Sequence, residues 1–307
     1  MLRCPITYKP CGSDRYSSEG LKALSRLHHL ADFPYGKEEQ LELALDYADK
    51  LSFSGVQPKL SAHLKPTKES FEIVSRGGTF LLKPPHPLYP ELPENEDLTM
   101  KLASIAGIDV PLHGMIYAID KSLVYFIKRF DRGARLKKIA VEDFAQLAGL
   151  SREAKYDSSM EKAASLIDQF CTFPLIEKKK LFRLMLFNFL VGNEDMHMKN
   201  FSLISEKDST KLSPAYDLVN STIASRSKEE IALPLQGKKS NLKRTDFTDF
   251  AQTRLSLPKQ EIETMLTQLH TCLPLWDETL AHSFLSDGKK KQYAEVIKNR
   301  SQRLYPK

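Results

Sequence analysis

The chain has 307 residues, 41% hydrophobic and 27% charged, a balance that excludes disordered, collagen-like and disulfide-scaffold polypeptides and leaves room for one two-lobed unit or two domains. The longest strongly apolar stretch, LFRLMLFNFLV at 181–191, is 11 residues long and carries Arg183 and Asn188, whereas a membrane span needs about 20 apolar residues. The N-terminus, MLRCPITYKP, has two prolines and no apolar core of a secretory signal, so the expected compartment is the cytoplasm, with no membrane contact and with Cys4, Cys11, Cys171 and Cys272 kept as thiols.

Cys4 and Cys11, with His28 and His29 nearby, are ligand types for zinc. They lack the close Cys-x2-Cys pair that marks a zinc site, and small buried residues are the preferred reading. The net charge of +6 resides in 289–307, which holds seven Lys or Arg and one Glu, so residues 1–288 sum to zero. Such a helix either meets nucleic acid or an acidic partner by counterion release or presents a solvated face. The second is preferred, because no aromatic interleaving or groove-reading motif accompanies the charge.

In chain order, the periodicity predicts two short helices, at 17–30 and at 37–51, where Leu41, Leu45 and Ala48 share a face. Strand patterns follow in KLSAHL, FEIV and TFLLK, with Gly77 and Gly78 expected to form a hairpin turn between the last two. A helix is predicted over 94–106, with acidic residues in its first turn and Gly107 at its end. Two more strands, LHGMIYAI and SLVYFIKRF, meet at Asp120 and Lys121. Beyond 138 the pattern is helical: VEDFAQLAGL, SSMEKAASLIDQF and the segment Pro174 to Gly192, with Pro174 suited to a first turn. A strand pair, FSLIS and KLSPAYDL, interrupts it before helices at 258–270, 274–285 and 289–303. The predicted class is α+β: a sheet-rich lobe over 1–131 that opens with helices, then a mainly helical lobe over 132–307.

The densest cluster of chemical groups is GNEDMHMKNFSLISEKDSTKLSPAYDLVN, 192–220, which holds Asp195, His197, Lys199, Asn200 and Asp217. Asp195 and Asn200 have the Asp-x4-Asn spacing of a kinase catalytic loop, in which the Asp accepts the substrate hydroxyl proton and the Asn holds Mg²⁺. Asp217, 17 residues on, is placed to be a second metal carboxylate. The spacing alone fits a polar loop with capping Asp and Asn equally well. In the first half, LSFSGVQPKL at 51–60 offers Ser52, Ser54, Gly55, Val56, Gln57 and Lys59 as a phosphate cradle without a Walker A pattern. Lys83 closes a strand, and Glu96 lies 13 residues later in the first turn of a helix, the pairing of a kinase N-lobe. Taken singly, these are a solvated strand-end lysine and a helix-dipole carboxylate.

The ordered set SFSGVQPK, FLLKP, ENEDLTMKLASIAGIDVP, IKRFDR, DFAQLAGL with a downstream KY, GNEDMHMKNFSL and PAYDLVN resembles the HipA family of bacterial toxin kinases, in detail over roughly 50–225. The resemblance implies a two-lobed kinase-like fold, ATP and Mg²⁺ as cofactors, Asp195 as the catalytic residue, and Asn200 and Asp217 as metal ligands. It also implies phosphate contact by Lys83, adenine contact by Lys128, Arg129 and Phe130, a supporting role for His197, and a phosphate or transition-state contact for Lys199. Ser52 or Ser54 matches a loop serine that members autophosphorylate. Implied partners are a protein substrate such as an aminoacyl-tRNA synthetase and an antitoxin, HipS-like or a DNA-binding HipB-like protein, so that DNA contact is indirect. With 51 residues before the serine loop and no Asp-Phe-Gly or Ala-Pro-Glu segment, the chain is more similar to the short HipT-type members than to full-length HipA. The rival readings are a non-catalytic nucleotide-binding or co-repressor module, a small-molecule kinase and, third, direct DNA binding.

Overall fold

The computed structural model describes residues 2–51, 58–133, 137–151, 153–224 and 229–306. The chain divides into two units, one of Met1–Leu98, Pro111–Lys137 and Ala281–Leu285, the other of Thr99–Val110, Lys138–Leu280 and Ser286–Lys307. Ser52, Ser54, Gly55, Val56 and Gln57 lie outside the described residues.

The first unit opens with a strand pair, β1 (Leu2–Arg3) and β2 (Pro10–Gly12), that the residue pattern does not announce. The expected helices follow as α1 (Ser18–Ser25), capped by Ser17, and α2 (Lys37–Leu51). Strands β3 (Leu60–Lys65), β4 (Ser70–Ile73) and β5 (Phe80–Lys83) precede α3 (Leu92–Ile105), whose first half belongs to this unit. β6 (His113–Tyr117) and β7 (Leu123–Lys128) complete an antiparallel sheet ordered β4-β3-β5-β7-β6.

That order corrects the hairpin expected at Gly77 and Gly78: β4 and β5 do not pair, because β3 lies between them. Gly77 does take a left-handed φ of 75°. Gly78 is needed for close approach instead, since a Cβ there would sit 2.8 Å from the Ala62 backbone nitrogen on β3. Along β5 the period of two turns Phe80 and Leu82 to one face and Lys83 to the other. Phe71, Phe80 and Phe126 interlock on the first face, at centroid distances of 5.2, 5.7 and 6.0 Å, within a core that also takes Leu21, Leu24 and Phe33.

In the second unit the segment expected as a helix at VEDFAQLAGL begins as a strand. β8 (Ala140–Asp143) pairs with a later strand, and only Phe144–Leu147 (α4) is helical. Phe144, Leu147 and Leu150 have helical spacing, but Asp143 and Gln146 form a capping box that starts the helix at Phe144. α5 (Met160–Phe170) and α6 (Pro174–Val191) follow. α6 buries Leu181, Phe182, Met185, Leu186, Phe189 and Leu190, apolar on nearly every face, as expected of a central helix.

β9 (Ser202–Glu206) and β10 (Ser209–Leu212) join β8 in a three-stranded sheet, with Asp143 opposite Ser202. Residues 213–218, expected to extend the second strand, run on without regular structure. α7 (Arg244–Thr253) went unpredicted, and α8 (Lys259–Ala281) is one helix where two were expected, at 258–270 and 274–285. Pro274 lies inside it. Leu269, Trp276 and Leu280, buried on either side, hold the two halves in one line, outweighing the roughly 3 kcal/mol that an interior proline costs. α9 (Asp287–Leu304) ends the chain. Among the described residues no helix is long and apolar enough to cross a membrane, no group of His, Cys, Asp or Glu is disposed to hold a metal ion, and the four cysteines are unbridged.

Candidate active site

Two clusters of functional groups arise, one in each unit. In the first, register places Lys83 opposite Tyr125 on the face away from the phenylalanine core. Its Nζ donates to Glu96 Oε1 at 2.6 Å, with side-chain exposures of 5% and 3%, and lies 5.7 Å from the Tyr125 ring centroid. The pairing read from the sequence is therefore made, and both groups are buried rather than solvated. The next residue on α3, Asp97, meets His113 Nδ1 at 2.9 Å, a second tie between helix and sheet that the residue pattern did not single out.

Lys59 is half-buried at the start of β3. Lys128 and Arg129, expected along adenine, spend their backbone N–H groups on Leu112 and Thr79 carbonyls. Arg129 also grips Asp131 through two hydrogen bonds, at 2.9 and 2.6 Å. Phe130 beside them is half-buried.

For Glu94, on the same turn of α3, burial, with the Glu91 and Asp97 charges adding to it, pushes the carboxyl up to about 7 from 4.5. A carboxyl raised on folding holds its proton longer in the folded state, so stability is highest at low pH and falls as pH rises from about 4.5 to about 7. Glu94→Gln is expected to remove this loss. Urea unfolding of both proteins at about pH 5 and about pH 8 checks it, with the variant gaining on the wild type at the higher pH.

In the second unit α6 leads into the loop that holds Asp195, His197, Lys199 and Asn200. It ends at Gly192 with φ 74°, where a Cβ would meet Thr222 Oγ1 at 2.6 Å and Val296 Cγ1 at 2.7 Å. Glycine is obligatory there on both counts. Asn193, buried, donates to Asn188 Oδ1 at 3.0 Å and accepts from the Asp195 backbone N–H at 3.2 Å. Glu194 is held by Thr222 and by Arg300 of α9, at 2.7 and 2.9 Å. Part of the basic C-terminal segment is thus built into the fold, while Lys291 and Lys298 remain exposed. Arg300 is buried and also donates to the Phe189 and Glu230 carbonyls, while Arg303 pairs with Glu230.

Along the loop, Asn200 Nδ2 donates to the Asp195 carbonyl at 3.0 Å. With its amide nitrogen spent on the loop, Asn200 has its side-chain oxygen left as a hard donor suited to Mg²⁺. Asp217 sits at φ 55°, a left-handed backbone that Asp tolerates better than most residues and that clusters at functional sites. Tyr216 braces it, sharing a 2.5 Å hydrogen bond with Ser202 and donating to the Lys199 carbonyl at 3.0 Å. His197 is buried, with Nδ1 unpartnered. Burial lowers its pKa, opposed by the Asp195 and Asp217 charges, so the fold brings both carboxylates within electrostatic reach of one imidazole. An amide oxygen and a carboxylate are the hard donor types that Mg²⁺, completed by phosphate and water, would take from Asn200 and Asp217.

Two residues without an assigned role in the sequence reading complete the site. Asp143 Oδ2 accepts from Lys199 Nζ at 2.8 Å, while its Oδ1 caps α4. Tyr156, in the turn Glu153–Tyr156, donates its hydroxyl to Asp195 Oδ1. Both lie in motifs already quoted, DFAQLAGL and KY, and the capping box was legible as Asp-x-x-Gln. Asp143→Ala is expected to cost about 0.5–2 kcal/mol through the lost cap and to release Lys199. Asp143→Asn keeps the cap and weakens only the ion pair, so chemical unfolding of the two variants separates the contributions.

Comparison with known proteins gives these groups a context. Residues 51–276 match the family model described as the HipA-like C-terminal domain. A Haemophilus influenzae protein provisionally named a kinase is 34% identical over 237 residues, covering 71% of this chain and 68% of its own length. The serine/threonine-protein kinase toxin HipA of Shewanella oneidensis is 26% identical over 209 residues, 62% of this chain and 48% of that protein. The Shewanella HipA structure, solved with HipB and operator DNA, aligns with a TM-score of 0.68 at 22% identity over 90% of this chain and 72% of its own. The Helicobacter pylori proinflammatory kinase CtkA aligns with a TM-score of 0.56 at 14% identity, covering 81% and 90% of the two chains. The fold is the α+β, kinase-like one of these structures.

Proposed function

Because the chain belongs to the HipA-like C-terminal domain family, we propose that it is an ATP- and Mg²⁺-dependent serine/threonine protein kinase acting as the toxin of a bacterial toxin–antitoxin system in the cytoplasm. The observation that carries the reading is the loop geometry: Asn200 is anchored to the Asp195 carbonyl, and Asp217 is held in a left-handed backbone beside the braced Tyr216. In this reading Mg²⁺, held by the Asn200 oxygen and the Asp217 carboxylate, offsets phosphate charge. Lys83, braced by Glu96, contacts phosphate oxygens, with the Ser54 to Gln57 loop and Lys59 contributing amides and charge. Asp195 accepts the hydroxyl proton of the substrate. Lys199, steadied by Asp143, faces the transferring group. The segment Lys128 to Phe130 lies along adenine.

The substrate class implied by the family is an aminoacyl-tRNA synthetase. The implied partner is an antitoxin, HipS-like if the chain is of the short HipT type or HipB-like as in the Shewanella complex, with DNA met through that partner. Expression of wild type and Asp217→Asn in a bacterial host, with phosphosites mapped by mass spectrometry, tests the toxin role. Growth arrest and phosphate on a translation component are expected for wild type alone, and equal arrest by both proteins would refute the role. Phosphate on Ser52 or Ser54 would add about −1.5 to −2 charge beside the nucleotide. If Ser→Asp at both positions leaves ATP affinity and phosphotransfer unchanged, that switch does not operate.

A further inference from the structure

Asp195 does not present both carboxylate oxygens to an incoming substrate, because Oδ1 already accepts a hydrogen bond from the Tyr156 hydroxyl. Tyr156 is 40% exposed. Its ring stands edge-on to His197 with centroids 5.0 Å apart, and Lys155 Nζ lies 4.9 Å from the centroid on its other contact. Burial, and then the hydrogen bond to Asp195, push the phenol pKa up, so the group remains a neutral donor. A neutral hydroxyl donating to the proton-accepting carboxylate is the arrangement an acceptor adopts at a kinase active site. Here the chain supplies that hydroxyl itself.

On the kinase reading above, we infer that Tyr156 is an internal phosphoryl acceptor, modified in cis, that occupies the substrate's place at Asp195 until it is phosphorylated. In the step, the Tyr156 oxygen forms a bond to the γ-phosphorus of ATP and the bond from that phosphorus to the β,γ-bridging oxygen breaks. ADP leaves with the electron pair, and the phenolic proton passes to Asp195 and then to solvent. The product ester carries about −1.5 to −2 charge directly against the Asp195 carboxylate, and like-charge repulsion moves it off. The acceptor position is thereby opened to a second hydroxyl, and the internal tyrosine acts once per chain.

The test incubates the full chain with Mg²⁺ and ATP at a series of protein dilutions and maps phosphate by mass spectrometry in wild type, Tyr156→Phe and Asp195→Asn. Phosphate on Tyr156 is expected in wild type with a rate constant that does not change on dilution, and its complete loss is expected in both variants. Phosphate on other residues but not on Tyr156, or a Tyr156 rate that rises in proportion to protein concentration, overturns the internal acceptor and leaves the kinase reading standing. Absence of phosphate from every residue of a wild type that binds Mg²⁺-ATP overturns both.

Discussion

Asp195→Asn should lower phosphotransfer by about 10²–10⁴-fold, the usual contribution of a positioned general base, with the fold and Mg²⁺-ATP affinity near wild type. The substitution is isosteric, and the loop's internal ties use the backbone of this residue. Asn200 and the His197 N–H both donate to the Asp195 carbonyl, and the Asp195 N–H donates to Asn193. The side-chain oxygen that meets the Tyr156 hydroxyl loses its charge and its capacity to accept a proton. Single-turnover kinetics beside calorimetric nucleotide titration separates the two effects. A variant that transfers at the wild-type rate would show that the proton leaves by another route.

Lys83→Met should have the largest effect on stability. The Lys83–Glu96 pair is 2.6 Å long and almost fully buried. Removing one member of such a pair leaves an uncompensated charge in the interior and costs about 3–5 kcal/mol, whereas replacing both members by apolar groups is often neutral or stabilising. Lys83→Met with Glu96→Leu should therefore recover most of the lost stability. Nucleotide affinity should not return with it, because the phosphate contact proposed for Lys83 is missing in both variants. Denaturant unfolding and ATP titration of the single and double variants check this split. Recovery of both properties in the double variant would remove Lys83 from the nucleotide site.

How much of this was legible in the residues varies with the range of the interaction. The five strands of the sheet, α3 and its Gly107 stop follow from local periodicity and helix-end chemistry, with boundaries shifted by only a residue or two. The polar cluster stood out in the sequence because its groups, Asp195 to Asp217, lie within 23 residues of one another. Pairings across the chain did not. β8 was read as part of a helix over VEDFAQLAGL, while the partner that makes it a strand, β9, comes some sixty positions later. Helices were expected at 258–270 and 274–285, but α8 runs on through Pro274, with Trp276 and Leu280 buried beyond it. Tyr156 and Asp195 are separated by 39 positions and Arg300 and Glu194 by 106, so neither contact leaves a trace in local spacing. Gly77 and Gly78 were identified as special, but one serves a left-handed turn and the other a close approach to β3, a distinction only strand order reveals.

The measurement that bears most directly on the central claim is transfer of the γ-phosphate of labelled ATP by the purified chain, with and without Mg²⁺, beside Asp217→Asn. The account predicts protein-bound label that requires the metal and is lost by orders of magnitude when Asp217 is neutralised. A wild type that binds Mg²⁺-ATP and transfers nothing, to itself or to a host lysate, would contradict it and make the chain a nucleotide-binding module without phosphotransfer.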